Sequence, residues 1–393
     1  MSNRERIYLD HNATTPLADE VLKSIPSVLS EWGNPSSIHW LGRGPKQIIR
    51  QSRSLLADAL GIHTLEIIFT SGASESNSSV IRNIVENQII SGRNEIIVSQ
   101  VEHPSLKKAT DWAEKQGMVV HRVPISLDGR WDWDFYNKVL SEKTALVTVM
   151  LANNETGFIF PVKEIAFKAH AVGALVHTDA TQAFGKIPLN FYDLDVDFAS
   201  LSAHKIYALK GVGLLFVKKG VEFSPFVFGG GQERSRRGGT ENILGIYSFG
   251  MMAAKTKGFV QQREQIEILR DSMESRIAKY ISHVAINKSE QRLPNTSSLI
   301  IDGVDGETLL MNLDIEGFAV STGAACSSGN PEPSPVLIAI GLTRKQAQNS
   351  LRLSLGMGTT DEQISYFVEK LVEIVNRIRS LGADVNGKGE IEI

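Results

Sequence analysis

Short apolar runs rich in β-branched residues alternate with helix-like segments from about residue 60 to residue 220. The runs lie around Ile67, at 95–99, from Met118, from Thr144, up to Asp179 and from Gly213. Between them are segments such as 104–117, where Pro104 suits a first helical turn and Gly117 suits a helix end. This alternation predicts βαβ units, and therefore an α/β fold with a largely parallel sheet flanked by helices.

The pattern changes after Thr240. A long polar and apolar stretch from there to about Ser282 predicts one extended helix. Beyond it, the strand-like runs TSSLIID, FAVST and LRLSLG are joined by a helix-like GETLLMNL and a last helix near 361–381. These elements predict a smaller α+β unit. We expect the boundary between the two units at about residues 255 to 265, and the first dozen residues could belong to either unit.

The composition narrows the class of protein. The chain has 393 residues, of which 42% are hydrophobic and 22% charged, as expected for a globular protein of two or three packed units. A formal net charge of -3 argues against nucleic-acid binding through bulk positive charge. No apolar run approaches the roughly 18 residues of a membrane helix, and the first residues form no apolar leader, so we expect a cytoplasmic protein without membrane contact.

Cys326 is the only cysteine, so an intrachain disulfide and cysteine-based tetrahedral metal sites are excluded. The nine histidines are scattered without zinc-binding spacing, and we expect no catalytic metal. Cys326 lies among Gly, Ala, Ser and Pro, whereas a buried structural cysteine would have apolar neighbours. A nucleophilic role would need acid–base help, because a thiol pKa of about 8.5 leaves little thiolate at neutral pH. His103 and His204 are the available bases, although most lone histidines only make ordinary hydrogen bonds.

Lys205 and Asp179 each follow a strand-like run. A lone lysine is most often a surface residue, and an aspartate after a strand is often a helix cap. In open α/β sheets, however, ligands collect at the carboxyl ends of the strands, where these two residues would meet. Pyridoxal phosphate chemistry requires such a pair: the lysine forms a Schiff base, and the aspartate keeps the pyridine nitrogen protonated. His103 follows another strand and would reach the same edge of the sheet, where its ring could stack on a cofactor ring.

The segment TSGASESN at 70–77 could hold the phosphate of such a cofactor. It leads from a strand-like run into a helix, where free backbone N–H groups and the positive helix end favour an anion. Such turns are also common as plain helix caps. The spacing of a P-loop and of a dinucleotide-binding glycine motif is absent, which disfavours nucleotide-dependent enzymes.

Two further segments carry charge. The glycine-rich arginine loop at 229–242 could bind RNA, but it lacks interleaved aromatic residues. A loop that supplies Thr240 or Arg237 to a phosphate is the favoured alternative. Arg352 lies in a strand-like run where an unpaired charge would be costly, so we expect a carboxylate partner from the protein or from a substrate.

Nine motifs together resemble a known family. They are YLDHNATTP, GNPSS, TSGASESN, EHPS, ANNETG, HTDATQ, SAHKIY, RRGGTEN and STGAACSSGNPEPS. In this order they are typical of cysteine desulfurases of the IscS/NifS type, which are fold-type I, class V aminotransferase-like enzymes. The resemblance runs from about Tyr8 to past Leu355. It implies a fold-type I PLP-dependent transferase fold, a homodimer, a large cofactor domain at 14–260, and a small domain at 1–13 and 261–393 that carries Cys326.

The resemblance also implies roles for individual residues. Lys205 would bind pyridoxal 5′-phosphate covalently, Asp179 would pair with the pyridine nitrogen, and His103 would stack on the ring and handle protons. Asn154 and Gln182 would contact the ring substituents. The phosphate would be held by Ser74, Glu75, Ser202, His204 and, lent by the other subunit, Thr240. The substrate would be bound by Arg352 and Asn34, which hold its carboxylate, and by Asn154.

The implied reaction converts L-cysteine to L-alanine, with the sulfur captured as a persulfide on Cys326. A sulfur-acceptor protein would then receive the sulfur for iron–sulfur cluster assembly or for thiolation of tRNA or cofactors. The long segment after Cys326 departs from the shorter one of selenocysteine lyases. Where the family often has Gly and Gly-Pro, this chain has Ala203 and Ala208-Leu209. Two alternatives remain: a selenocysteine lyase or cysteine-sulfinate desulfinase, and a non-catalytic scaffold for a sulfur carrier.

Overall fold

The computed structural model describes residues 6–88, 92–322 and 332–386. Twelve strands lie within these ranges. They are β1 (Ile7–Tyr8), β2 (Ile67–Thr70), β3 (Glu95–Ser99), β4 (Val119–Val123), β5 (Thr144–Thr148), β6 (Leu175–Asp179), β7 (Phe198–Ser202), β8 (Gly213–Val217), β9 (Val284–Ile286), β10 (Thr296–Ile301), β11 (Phe318–Ala319) and β12 (Ser350–Ser354). The six runs predicted between residues 60 and 220 all contain strands, so that part of the prediction is confirmed.

Fourteen α-helices lie within the same described ranges. They are α1 (Asp19–Leu29), α2 (Trp40–Leu60), α3 (Ala73–Gln88), α4 (Pro104–Lys115), α5 (Trp133–Val139), α6 (Val162–Ala171), α7 (Phe191–Leu194), α8 (Ile243–Ala253), α9 (Thr256–Gln261), α10 (Arg263–Tyr280), α11 (Gly306–Ile315), α12 (Pro335–Ala339), α13 (Arg344–Gln348) and α14 (Asp361–Asn386). None of the helices in the described ranges combines the length and apolar character needed to span a lipid bilayer. Seven begin after a residue whose side chain accepts a first-turn N–H: His103, Asp132, Asn190, Asn242, Asp305, Ser334 and Thr343.

The main sheet has seven strands in the order β2-β8-β7-β6-β5-β3-β4. Only β8 runs antiparallel to its neighbours, β2 and β7. Every residue of β2, β5, β7 and β8 is buried, as expected when helices cover both faces. The predicted α/β fold with a mostly parallel sheet is therefore confirmed. Because β2, β6 and β7 point the same way, Thr70, Asp179 and Ser202 lie at one edge of the sheet.

A second layer is built from both ends of the chain. Strands β12, β10 and β9 form an antiparallel sheet, and β1 pairs in parallel with β11. A separate apolar core includes Leu9 of the first residues, Met273 of α10, Leu313 of α11 and Phe367 of α14. The predicted smaller α+β unit thus packs its helices against its own sheet.

The prediction of one extended helix from Thr240 to about Ser282 is wrong. Three helices, α8, α9 and α10, occupy this stretch, with breaks at 254–255 and at Gln262. The chain changes partners here: Phe249 of α8 packs in the core of the main sheet, whereas Met273 of α10 packs in the second core. A straight helix could not serve both cores, so the chain turns between them.

The first residues link the two layers. After β1, the backbone N–H of Asn12 donates to Ser354 Oγ of β12 at 2.9 Å. Three residues on, the N–H of Thr15 donates to the carbonyl of His204, beside the main sheet, at 3.0 Å. Residues 10–15 therefore pass between β12 and the end of β7, where the predicted cofactor residues lie.

Candidate active site

A cavity of about 610 Å³ opens at the carboxyl edge of the main sheet. Strands β2, β6 and β7 end at its wall, and the amino end of α3 and the segment 12–14 complete it. Ten of the thirteen predicted site residues line this one cavity: Ser74, Glu75, His103, Asn154, Asp179, Gln182, Ser202, His204, Lys205 and Arg352.

Lys205 follows β7 on a short turn of 3₁₀-helix at 203–205. Its Nζ donates to the backbone carbonyls of Asn12 at 2.6 Å and of Ala13 at 2.7 Å. Burial lowers the pKa of this amine to about 8, and Arg352 acts in the same direction, against the opposing charges of Asp10 and Asp179. Near neutral pH a usable fraction of the amine is therefore unprotonated and nucleophilic.

Asp179 ends β6 with its side chain buried at 6% exposure. Asn77 Nδ2 of α3 donates to Asp179 Oδ2 at 2.8 Å, and the N–H of Thr181 donates to Oδ1 at 3.0 Å. The same Asn77 amide donates to Ser105 Oγ at 2.9 Å. These bonds fix the orientation of the Asp179 carboxylate. Through Ser105 they also connect it to His103.

His103 precedes α4 and caps it. Its Nδ1 accepts from the N–H of Ser105 at 3.2 Å and lies 2.8 Å from Ser105 Oγ. Because Nδ1 accepts a backbone proton, the neutral ring carries its own proton on Nε2. Burial lowers the pKa of His103; the Asp179 carboxylate opposes this shift, and Lys205 adds to it. The ring is therefore neutral at pH 7, and its Nε2–H is a hydrogen-bond donor.

The far end of the cavity suits an anion. It is formed by the first turn of α3, whose opening N–H groups have no partner inside the helix, with Ser202 and His204 alongside. Glu75 would oppose an anion, but Arg237 donates to its two oxygens at 2.9 and 3.1 Å and so balances its charge. Burial lowers the pKa of His204 to about 4, with Lys205 and Lys210 acting in the same direction, so this ring is neutral.

Arg352 of β12 also lines the cavity. Its Nη2 donates to Asp10 Oδ1 at 2.6 Å and its Nη1 to the backbone carbonyl of Asn154 at 3.3 Å. Its Nε is buried without a hydrogen-bond partner in the described part of the chain. Asp10 is thus a protein carboxylate partner of the kind expected for Arg352.

Two of the three other predicted site residues lie elsewhere. Asn34 is exposed, does not line the cavity, and accepts from the N–H of Ser36 at 2.8 Å. Thr240 lines a separate recess of about 220 Å³ with Arg237 and Gly211. Cys326 lies outside the described residues.

Sequence reasoning assigned no role to Asn12. Its carbonyl accepts from Lys205 Nζ and from Gln182 Nε2, the latter at 2.9 Å. Its side-chain Nδ2 donates to Thr296 Oγ1 at 2.8 Å and to the carbonyl of Asn154 at 3.1 Å. Asn12 stands in the YLDHNATTP motif, which signalled its importance, but its bonds to five distant segments are visible only in the fold.

The cavity therefore offers three different contacts at separate points: an amine, a buried carboxylate and a helix terminus with free N–H donors. This set matches a planar cofactor with one aldehyde, one basic ring nitrogen and one phosphate. The neutral rings of His103 and His204 add no charge that would oppose such a ligand.

Comparison with known proteins agrees with this geometry. Residues 7–367 match the family model described as aminotransferase class-V, so the chain belongs to the class-V aminotransferase family. A cysteine desulfurase from Cereibacter sphaeroides is 42% identical over 381 residues, which cover 96% of this chain and 97% of the relative. Within its class the chain is a cysteine desulfurase of the IscS/NifS type, and the sequence-based assignment is confirmed.

Two solved structures are similar throughout. A NifS-like protein superimposes with a TM-score of 0.89 at 33% identity, covering 95% of this chain and 100% of its own. SspA, solved in complex with cysteine, superimposes with a TM-score of 0.77 at 30% identity, covering 89% of this chain and 98% of its own. The fold-type I architecture predicted from the motifs is thereby confirmed.

Proposed function

We propose that this cysteine desulfurase uses pyridoxal 5′-phosphate to convert L-cysteine to L-alanine, with the sulfur captured on Cys326 as a persulfide. One observation carries the proposal: the Lys205 amine, with its lowered pKa, and the buried Asp179 carboxylate line one cavity. SspA, which is similar in structure, was solved with cysteine bound, and this supports cysteine as the substrate.

The residues present fit the cofactor. The first turn of α3, Ser202 and His204 would hold its phosphate, and Asp179 would pair with its ring nitrogen. Lys205 would bind its aldehyde carbon, while Gln182 and Asn154 would contact the ring substituents. When bound, pyridoxal phosphate supplies an electron sink that weakens bonds at the substrate α and β carbons.

The chain's own residues then bind the substrate and move protons. Arg352 lines the cavity and would bind the substrate carboxylate, while Asp10 holds the guanidinium in place. Lys205 can take and return a proton near neutral pH because its pKa is about 8. His103 is neutral, and its Nε2–H would donate a hydrogen bond to a group in the cavity.

The sulfur step balances without an added oxidant or reductant. The bond between the substrate's β carbon and sulfur breaks, and a bond between that sulfur and Cys326 Sγ forms. Of the two thiol hydrogens, one moves to carbon and completes alanine, and the other stays on the terminal sulfur of the persulfide. The terminal sulfur can then pass to an acceptor protein for iron–sulfur cluster assembly or thiolation of tRNA or cofactors.

We also propose a homodimer. Large apolar side chains stand exposed on the chain surface, which is typical of a protein interface: Trp32 at 74%, Ile38 at 96%, Trp40 at 72% and Phe228 at 72%. A second copy of this chain would cover them. Thr240 does not line the cavity of its own chain, which supports a role for it in the cavity of the second copy.

Mass spectrometry of the purified holoenzyme after brief mixing with L-cysteine tests the proposal. We expect one added sulfur atom on the peptide that contains Cys326, together with free alanine. Cys326→Ser should retain the cofactor and lose both products, and Lys205→Ala should lose the cofactor that borohydride otherwise traps on the chain. Turnover that persists in Cys326→Ser would contradict the persulfide and favour a selenocysteine lyase or cysteine-sulfinate desulfinase. Wild-type protein that stays colourless with added cofactor would favour a scaffold.

A further inference from the structure

Lys186 is a half-buried lysine beside the cavity that the proposed reaction does not use. Its Nζ donates to Gln182 Oε1 at 2.6 Å and to Asn12 Oδ1 at 2.7 Å. Among the residues that the structure describes, no ion pair joins Lys186 to a carboxylate. Burying a lysine without a carboxylate partner costs free energy, so another interaction must account for its position.

Both acceptors of Lys186 belong to residues that surround Lys205. The carbonyl of Asn12 accepts from Lys205 Nζ at 2.6 Å and from Gln182 Nε2 at 2.9 Å. Lys186 thus bridges the Asn12 side chain and the Gln182 side chain, and these two residues meet again at the Asn12 carbonyl. Lys186, Gln182 and Asn12 thus form a closed ring of hydrogen bonds, and Lys205 is attached to this ring at the Asn12 carbonyl.

We propose that Lys186 is a positioning residue: its amine fixes the Gln182 amide and the Asn12 side chain, and through them the donor and carbonyl groups around Lys205. With Oε1 held by Lys186, the Gln182 amide cannot flip, so its Nε2 stays on the side of Lys205. Gln182 then presents a hydrogen-bond donor, and never an acceptor, to that side. The inference deepens the proposed cofactor site and rests on it.

The groups facing Lys186 are neutral or basic. His11 of the first residues, Lys205, Arg263 of α10 and Arg352 of β12 lie around it, and none carries negative charge. Burial lowers the pKa of Lys186 well below its usual range, and Lys205 and Arg352 lower it further. The positioning role rests on the two donations that Lys186 makes, to Gln182 Oε1 and to Asn12 Oδ1.

The test uses the loaded enzyme and Lys186→Met, which keeps the length of the side chain and removes both donors. The readouts are the pH midpoint of the visible absorbance of the bound cofactor and the dissociation constant of the cofactor. A donor beside a ring oxygen stabilises its negative form, so loss of a fixed Gln182 donor should raise the midpoint by about half a unit or more. Cofactor binding should weaken about tenfold, the effect of one lost buried hydrogen bond. Lys163→Met, an exposed lysine on α6, is the matched control and should change neither value.

Three further variants distinguish placement of donors from positive charge as the role of Lys186. Gln182→Met leaves Lys186 in place and should raise the midpoint in the same way; an unchanged midpoint would overturn the proposal even if Lys186→Met does not fold. Lys186→Gln retains two N–H donors without charge and should stay close to wild type. If Lys186→Arg restores the wild-type midpoint and Lys186→Gln does not, positive charge and not placement of donors is the role of this residue.

These measurements distinguish a failure of the positioning role of Lys186 from a failure of the proposed function. Wild-type enzyme that binds pyridoxal phosphate and releases alanine, with Lys186→Met identical to it in midpoint and affinity, refutes the positioning role alone. Wild-type enzyme that shows no visible absorbance with added cofactor refutes the proposed function itself.

Discussion

At the scale of the residue, the decisive feature is how Lys205 is held. Its amine donates to two backbone carbonyls, of Asn12 and Ala13, and forms no ion pair with a carboxylate in the described part of the chain. Carbonyls orient an amine but stabilise its charge less than a carboxylate would. Burial and the nearby guanidinium of Arg352 therefore lower the pKa of Lys205 to about 8. The lysine is fixed in place and remains reactive.

This electrostatic balance predicts how fast cofactor-free protein captures pyridoxal phosphate. Only the neutral amine attacks the aldehyde, so the capture rate should rise with pH and reach half its maximum near pH 8. Asp10 raises the pKa of Lys205, so Asp10→Asn should move the midpoint to lower pH. Asp134→Asn, on an exposed turn of α5, is the matched control and should not move it. Stopped-flow absorbance between pH 6 and 10 measures these rates, and a flat profile from pH 7 to 9 would contradict the assigned pKa.

Sequence reasoning brought ten site residues to one cavity because nine of them stand in family motifs and Arg352 stands in a predicted strand. It assigned no roles to Asn77, Asn12 and Lys186, although Asn77 and Asn12 stand in the quoted motifs. Asn77 bonds to Asp179 and Asn12 to Lys205, across 102 and 193 positions of the chain. Spacing along the chain carries no information about such contacts. Residue type does not indicate such contacts either, since an asparagine in a loop is most often a turn residue.

At the scale of the element, helix α8 shows how a close approach fixes a packing angle. A Cβ atom on Gly250 would lie 2.5 Å from Ser52 Cα of α2, which is closer than atoms can approach. Glycine here allows the two helices to touch along their backbones. No pattern along the chain indicated this contact, because glycine inside a helix is normally unfavourable. The same close packing keeps α8 against the main core and separates it from α10. The single helix predicted for this stretch is therefore divided into three.

Two glycine substitutions test this packing. Gly250→Ala should lower the free energy of unfolding by about 1–3 kcal/mol, because the added methyl forces α8 away from α2. Gly258→Ala on α9 has open space around the new Cβ atom and should raise it by about 0.5–1 kcal/mol through helix propensity. Urea unfolding of both variants measures the two values. If Gly250→Ala were as stable as Gly258→Ala, the helices would not be in backbone contact.

At the scale of the whole molecule, buried histidines lower the stability at acid pH, and buried glutamates lower it at alkaline pH. Burial is the main cause in each case. It lowers the pKa values of His11, His177 and His204 to about 4, and it raises those of Glu102 and Glu155 to about 8 and about 7. All five side chains are therefore uncharged near pH 6.5. Any departure from that pH favours a charge on a side chain that is wholly or partly buried.

We expect the melting temperature to be highest near pH 6.5. Below it, the unfolded histidines, with pKa values near 6.5, bind protons that the folded ones do not, so stability falls as the pH drops toward 4. Above it, the folded Glu102 and Glu155 keep protons that the unfolded carboxyls have lost, so stability falls as the pH rises through 7 to 8. Differential scanning calorimetry between pH 5 and 9 measures the curve. Glu102→Gln should remove its share of the fall in stability between the unfolded pKa of 4.5 and the folded pKa of about 8, and so flatten the alkaline side and move the maximum to higher pH. An alkaline side as steep as that of wild type would show that Glu102 is not the cause.

The order of synthesis matters for a pocket built around residue 12. Asn12 leaves the ribosome among the first residues, but it bonds to Asn295, Thr296 and Ser354, which leave it late. Until then, Lys205 lacks the wall that holds its amine. A nascent chain therefore cannot form the finished pocket, and loading with its vitamin-derived group is expected to follow translation.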